Sequence, residues 1–278
     1  MELKKDRDNN FDLIRLIAAI QVFVMHAVVY LNIPVSPYIL EIADWFPGVP
    51  IFFMISGYLV LSSFVRSPSS YQYFRNRALR IFPGLWVCLL LTFIFVAIRG
   101  DLADTNTILR SIFWFIANGT IFQFAGAIGT GVANGPLWSI SSELQFYILL
   151  PLFGVLLSYF KKNNISVLYT TVIIVPLIVI SGFFHEYVLK SQAVLHVWVY
   201  PTYYASFLAN GYLFLMGVLV FIWRDKLMPL VQGRALFFIV LYLVTRIFLL
   251  MLGYDAHTVQ STILSVFVYP FLSLLRAC

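Results

Sequence analysis

The sequence is poor in charge. Of its 278 residues, 11% are charged, against about 25% in a soluble domain, and 61% are hydrophobic. That deficit, with long apolar runs recurring along the chain, argues against a soluble domain and for a polytopic membrane protein. Cysteine is nearly absent. Cys88 and Cys278 lie far apart, form no metal or redox pattern, and read as inert. No internal repeat and no Gly/Ser- or Pro-rich linker occurs, so residues 1–278 read as one domain. Gly-x-Ser-x-Gly, Walker and dinucleotide-binding patterns are missing. The histidine spacing offers no metal site, and no permanently bound cofactor is expected. No cleavable leader is expected either, because MELKKDR runs into an apolar segment too long for a signal-peptide core.

What is there is helical and membrane-sized. Eight spans are predicted at about 12–31, 46–64, 82–98, 136–158, 165–183, 205–223, 235–252 and 259–275, close to the roughly 20 residues that a helix needs to cross a bilayer. The expected fold is an all-α bundle. A basic loop, Arg66–Arg80, separates the second and third spans. A long segment, Arg99–Gly135, follows the third and contains one helical stretch near 108–117. With a cytoplasmic N-terminus, one side receives Lys4, Lys5, Arg7, the Arg66–Arg80 arginines, Lys161, Lys162, Arg224, Lys226, Arg234 and Arg276. The other receives Arg99, Arg110 and Lys190. That asymmetry fixes the orientation and explains the net charge of +6 as a topology signal, with no nucleic-acid partner.

The stretch Phe11–Tyr30 carries Arg15 and His26, and ionisable groups inside a membrane are costly and usually functional. Their eleven-step spacing puts both on one helix face, about 16 Å apart. Ala18, Ala19 and Val22 lie between them, small enough to admit a helix or a ligand. Asp12, three residues before Arg15, is expected to pair with it and to favour the helix N-terminus. Depth counting places His26 about 21 Å, and Glu143 about 20 Å, from the cytoplasmic face. The two are expected to pair, the carboxylate holding the imidazole's tautomer. In YFRNRALR, Arg75, Arg77 and Arg80 crowd into six residues, and Arg77 and Arg80 share a face if helical. Arginine suits phosphate, although basic loops also serve topology and lipid headgroups. Arg246 reads as a structural partner, and His185, His196 and His257 as surface histidines.

Several segments together resemble the membrane acyltransferase family 3, the bacterial O-acyltransferases of surface polysaccharides. FDLIRLIAAIQVFVMH has the family's Arg-x10-His pattern. GVPIFFMISGYLV, with Ser56, resembles its second span, and YFRNRALRIFPGLW its Arg-x-x-Arg segment. GPLWSISSELQFYILLPLF resembles its Trp-Ser-x-x-x-Glu-x-x-Phe-Tyr segment, here Trp138, Ser139, Glu143, Phe146 and Tyr147. The resemblance implies transfer of an acyl group, most often acetyl, from cytoplasmic acyl-CoA to a sugar hydroxyl of a polysaccharide or lipid-linked oligosaccharide, in the bacterial inner membrane. His26, Glu143 and Arg15 would be catalytic. Arg15, Arg75, Arg77 and Arg80 would hold the CoA phosphates, with Asp12, Ser56, Trp138, Ser139 and Tyr147 in support. His26 would act as general base or carry the acyl group itself. Family members usually have about ten spans and a late Ser-Tyr-x-x-Tyr-Leu-x-His-like segment, where this chain offers about eight spans and no such segment. Two rival readings follow: a C-terminally truncated, non-catalytic remnant, and a small-solute transporter or flippase, since buried ionisable groups also mark transport paths.

Overall fold

The computed structural model describes residues 11–44, 47–67, 69–98, 109, 112, 137–162, 167–191 and 203–251. Among these no strand occurs, as the apolar runs require: a segment in lipid must satisfy its own backbone, and a helix does so internally. The helices are α1 (Phe11–Tyr30), α2 (Pro37–Asp44), α3 (Gly48–Arg66), α4 (Ser70–Ile98), α5 (Leu137–Lys162), α6 (Val167–Lys190), α7 (Phe207–Val231) and α8 (Ala235–Met251). Six of them, α1 and α3 to α7, are long and apolar enough to cross a membrane. The fold is the expected all-α, multi-pass one. The predicted span at 259–275 lies outside the described residues, as do His196, His257, Cys278 and all of 99–135 except Leu109 and Ile112.

At several ends the helices outrun the apolar boundaries. The third span starts at Ser70 rather than near residue 82, so the basic stretch is helix and not loop. The fifth continues through His185 to Lys190, and the sixth past Trp223 to Val231. Hydropathy stops where lipid stops, but helical hydrogen bonding continues until a breaker intervenes. Such a stop follows α1. Asn32 adopts a left-handed φ of 50°, the Ile33 N–H reaches Val28 O at 3.0 Å, and the Asn32 N–H reaches Val29 O at 3.4 Å, satisfying carbonyls left open at the helix end.

The described chain packs as two compact units, Met1–Leu59 with Leu213–Cys278, and Val60–Tyr212. The division falls inside α3 and α7 rather than in a linker. In the first unit, α3 meets α7 at two glycines. A Cβ on Gly57 would sit 2.0 Å from Phe214 O, and one on Gly217 would sit 2.0 Å from Met54 O. Small residues allow such close backbone approach in lipid. Aromatic contacts flank the crossing: Phe53 on Phe214 with centroids 4.5 Å apart, and Tyr58 edge-on to Phe221 at 5.4 Å.

In the second unit, α4 and α5 run antiparallel. Tyr73 meets Tyr147 through a hydroxyl-to-carbonyl bond of 3.2 Å, and Leu85 and Leu89 pack with Ile140 further along. The start of α7 is buried here, and its open N–H groups find partners. Phe207 N–H donates to Gln145 Oε1 at 2.6 Å, and Ala209 N–H to Ser206 Oγ at 3.2 Å. Asn210 Nδ2 reaches Tyr204 O at 2.6 Å and Ser142 Oγ at 3.2 Å. Tyr212 N–H donates to Ser181 Oγ at 2.8 Å. A helix end without such partners would cost heavily in lipid.

Candidate active site

In the first unit, α1 carries Arg15 and His26 on one unbroken helix, so the spacing argument holds as built. Both side chains are half-buried, and Asp12 is exposed in the first turn, where a negative charge suits the helix dipole. His26 Nδ1 lies 2.7 Å from Val22 O. A carbonyl can only accept, so Nδ1 carries a proton, and whenever the ring is neutral its lone pair is on Nε2.

The small-residue strip between Arg15 and His26 is already in use on one flank. A Cβ on Gly48 would fall 2.4 Å from Ala18 O and 2.6 Å from Val22 Cγ2, so the first turn of α3 seats against Ala18 and Val22. Ala18 is buried, whereas Ala19 is exposed. The room expected for a ligand is thereby reduced to the Ala19 side, because Gly48 lets a backbone enter where side chains were expected to leave a gap. Gln21 holds this arrangement. Its Oε1 accepts the Gly48 N–H at 2.9 Å, and its Nε2 donates to Ala43 O at 3.2 Å. One amide thus satisfies the start of α3 and the end of α2. Ser56 is buried beside the Gly57 crossing.

The second unit gathers the other group of candidates. Arg77 Nη2 donates to Ser63 Oγ at 2.8 Å. Its guanidinium lies 5.6 Å from the Tyr147 ring centroid and 5.9 Å from that of Tyr73, where the ring faces stabilise a cation. Arg77 Nε and Nη1 are buried and have no hydrogen-bond partner among the described residues. The Tyr147 hydroxyl donates to Glu143 Oε1, one turn back along α5. Arg77, Tyr147 and Glu143 therefore belong to one cluster. The helical register sets Arg75 about 200° around α4 from Arg77, and Arg80 about 60°. Arg75 and Arg80 are both exposed, so Arg75 stands apart from the cluster. Trp138, in the first turn of α5, packs on Tyr204 with centroids 4.7 Å apart, and Ser139 is half-buried.

His26 belongs to the first unit and Glu143 to the second, and each has an identified partner within its own, Val22 and Tyr147. His185 is no surface histidine. It sits on α6 because that helix outruns its apolar stretch, its Nδ1–H donates to Ala209 O at 3.0 Å, and its ring packs edge-on to Tyr212 at 5.5 Å. Sequence reasoning missed Gln21, Ser63 and Tyr73. Tyr73 was within reach, since it precedes Arg77 by one helical turn; nothing local marks the other two.

Membrane-length helices bearing half-buried Arg, His and Glu side chains define a multi-pass membrane protein with ionisable groups on its spanning helices. The model of the family-3 acyltransferase domain matches residues 8–278, and the chain belongs to that family. It is 36% identical over 160 residues to "Nodulation protein 10" of Rhizobium leguminosarum bv. viciae, covering 52% of this chain and 43% of that one. It is 36% identical over 168 residues to the "O-acetyl transferase" of Shigella phage Sf6, covering 57% and 48%. With the "Peptidoglycan O-acetyltransferase OatA" of Listeria monocytogenes it shares 28% identity over 133 residues, covering 42% and 21%. The matched segments thus span less than half the length of these relatives. No solved structure matches the chain.

Proposed function

We propose that this chain carries the acyl-transfer core of a bacterial inner-membrane O-acyltransferase. It moves an acetyl group from cytoplasmic acetyl-CoA to a sugar hydroxyl of a cell-surface or exported polysaccharide. Family membership and relatives named O-acetyltransferases support the reaction class. One observation carries the donor half: Arg77 is held by Ser63 and two ring faces while two of its donor nitrogens are buried without partners among the described residues. A guanidinium fixed in place with two unpartnered donor nitrogens suits phosphate oxygens, and Arg80 stands one turn further on. Arg15 is the corresponding cation of the first unit.

His26 supplies the proton transfer. The acceptor oxygen attacks the thioester carbonyl carbon as its proton passes to His26 Nε2. The C–S bond then breaks, and the CoA thiolate takes the proton back from the imidazolium. The same lone pair would accept the acyl group in an acyl-enzyme route. Glu143 is the carboxylate of the chemistry, held by Tyr147. The test compares surface polysaccharide from strains with and without the gene by mass, alongside acetyl-CoA binding and thioester consumption by the purified chain. An acetyl-sized mass difference with thioester turnover is expected. A chain that moves a solute and ignores acetyl-CoA is a transporter, and one that binds acetyl-CoA without turnover is a remnant; either result overturns the reading.

A further inference from the structure

Tyr147 touches more of the second unit's cluster than any argument from the sequence required of it. Its side chain is buried, at 3% exposure. Its hydroxyl donates to Glu143 Oε1, its ring faces the Arg77 guanidinium at 5.6 Å, and its own carbonyl accepts the Tyr73 hydroxyl at 3.2 Å. Tyr73 is fully buried, edge-on to Phe64 and Phe74 with centroids 5.1 Å away in each case, so the group that bonds the Tyr147 carbonyl is itself packed between two rings.

We propose that Tyr147 is a positioning residue that holds the Glu143 carboxylate and the Arg77 guanidinium in one fixed register, the hydroxyl aiming the first and the ring seating the second. The inference rests on the reading that Glu143 and Arg77 serve transfer. The terminal torsion of a glutamate is broad and roughly two-fold, so a carboxylate without an anchor samples many directions. One hydroxyl bond to one oxygen fixes where the other points. A guanidinium over a ring is held by its face alone, which leaves its N–H edges available for an anion. A serine or threonine at 147 could aim the carboxylate but offers no face. A phenylalanine offers the face but not the aim. Tyrosine does both, so displacement at the donor cation and displacement at the carboxylate are mechanically linked.

The experiment uses the full chain in detergent or membranes, with acetyl-CoA as donor, and measures kcat, donor KM and equilibrium acetyl-CoA binding. The variants are Tyr147→Phe, Tyr147→Leu, Glu143→Gln and the double variant Tyr147→Phe/Glu143→Gln. Tyr147→Phe is expected to lower kcat roughly 10-fold and leave donor affinity within about two-fold, because the ring stays under Arg77. Tyr147→Leu is expected to weaken donor affinity about 3- to 10-fold as well. The double variant is expected to match Glu143→Gln alone, since residues acting through one another are not additive. Tyr73→Phe, which keeps both functions of Tyr147 and frees only its carbonyl, should lower kcat about two- to three-fold, an effect absent in the Glu143→Gln background. Wild-type kcat in Tyr147→Phe, or a double variant whose loss is the product of the two single losses, overturns the proposal while the function stands. Full activity in Glu143→Gln instead removes Glu143 from the chemistry, and that failure shows in a variant that leaves Tyr147 untouched.

Discussion

At its helix crossing the first unit presses backbone against backbone, while the second is fastened by side chains. Gly57 and Gly217 bring α3 and α7 so close that neither position has room for a methyl group. In the second unit Gln145 and Ser181 accept N–H groups from the start of α7, Ser142 accepts from Asn210 and donates to Ala205 O just before that helix, and the Tyr73 hydroxyl donates to α5. Lipid is as apolar as leucine, so helices in it associate through close packing and interhelical hydrogen bonds rather than through hydrophobic burial. The α3–α7 crossing relies on the first of these means and the start of α7 on the second. The candidate residues follow the same division: His26 is oriented by its own helix's backbone, Arg77 by side chains from three helices.

The contrast breaks most visibly at the glycines. Gly57→Leu or Gly217→Leu should leave no folded protein, a loss above about 4 kcal/mol from overpacking against backbone, read as loss of the monodisperse peak in fluorescence-detected size exclusion. A normal peak would mean that the crossing yields. Next is His26→Ala, which should cut transfer about 10²- to 10⁴-fold while acetyl-CoA binding by titration calorimetry stays unchanged. Normal transfer from a well-expressed His26→Ala protein would reduce α1 to packing. Arg77→Ala should weaken acetyl-CoA binding about 10- to 150-fold, the loss of one charged hydrogen-bond set at about 1.5–3 kcal/mol. Arg75→Ala, on the opposite side of α4, should change it far less. Equal effects from the two would make the cluster a general basic patch. Smallest is Asn210→Ala, expected to lower stability in detergent by about 0.6 kcal/mol and at most about 1.7, with donor binding unaffected. A loss as large as that at Gly57 would erase the distinction between the units.

Much of this was legible beforehand, for definite reasons. Apolar length located the helices because the bilayer sets that length, and a period of 3.6 placed Arg15 and His26 on one face of a helix that proved continuous. The boundaries were less legible, since hydropathy is blind to helix that continues into polar sequence. That is why Arg77 was expected in a loop and His185 on the surface. The burial of Arg77 depends on Ser63 and Tyr147, residues 14 and 70 positions away in the chain, and no local pattern carries such distances. Nothing in the local sequence marks Gln21. Its value comes from two helix ends, at Ala43 and Gly48, that meet it only after folding.

The glycines also determine which mutations can be rescued by a second one. A methyl group at Gly154 would meet the Phe64 ring, 2.1 Å from its Cε1. Trimming that ring makes room, so a screen for revertants of Gly154→Ala should return smaller residues at 64. A methyl group at Gly57 meets the carbonyl oxygen of Phe214, an atom that every amino acid supplies. No exchange at position 214 removes it, and Gly57→Ala should revert only at Gly57 itself. Two glycines that look alike in the sequence would therefore behave as opposites in genetics, one open to compensation and one closed.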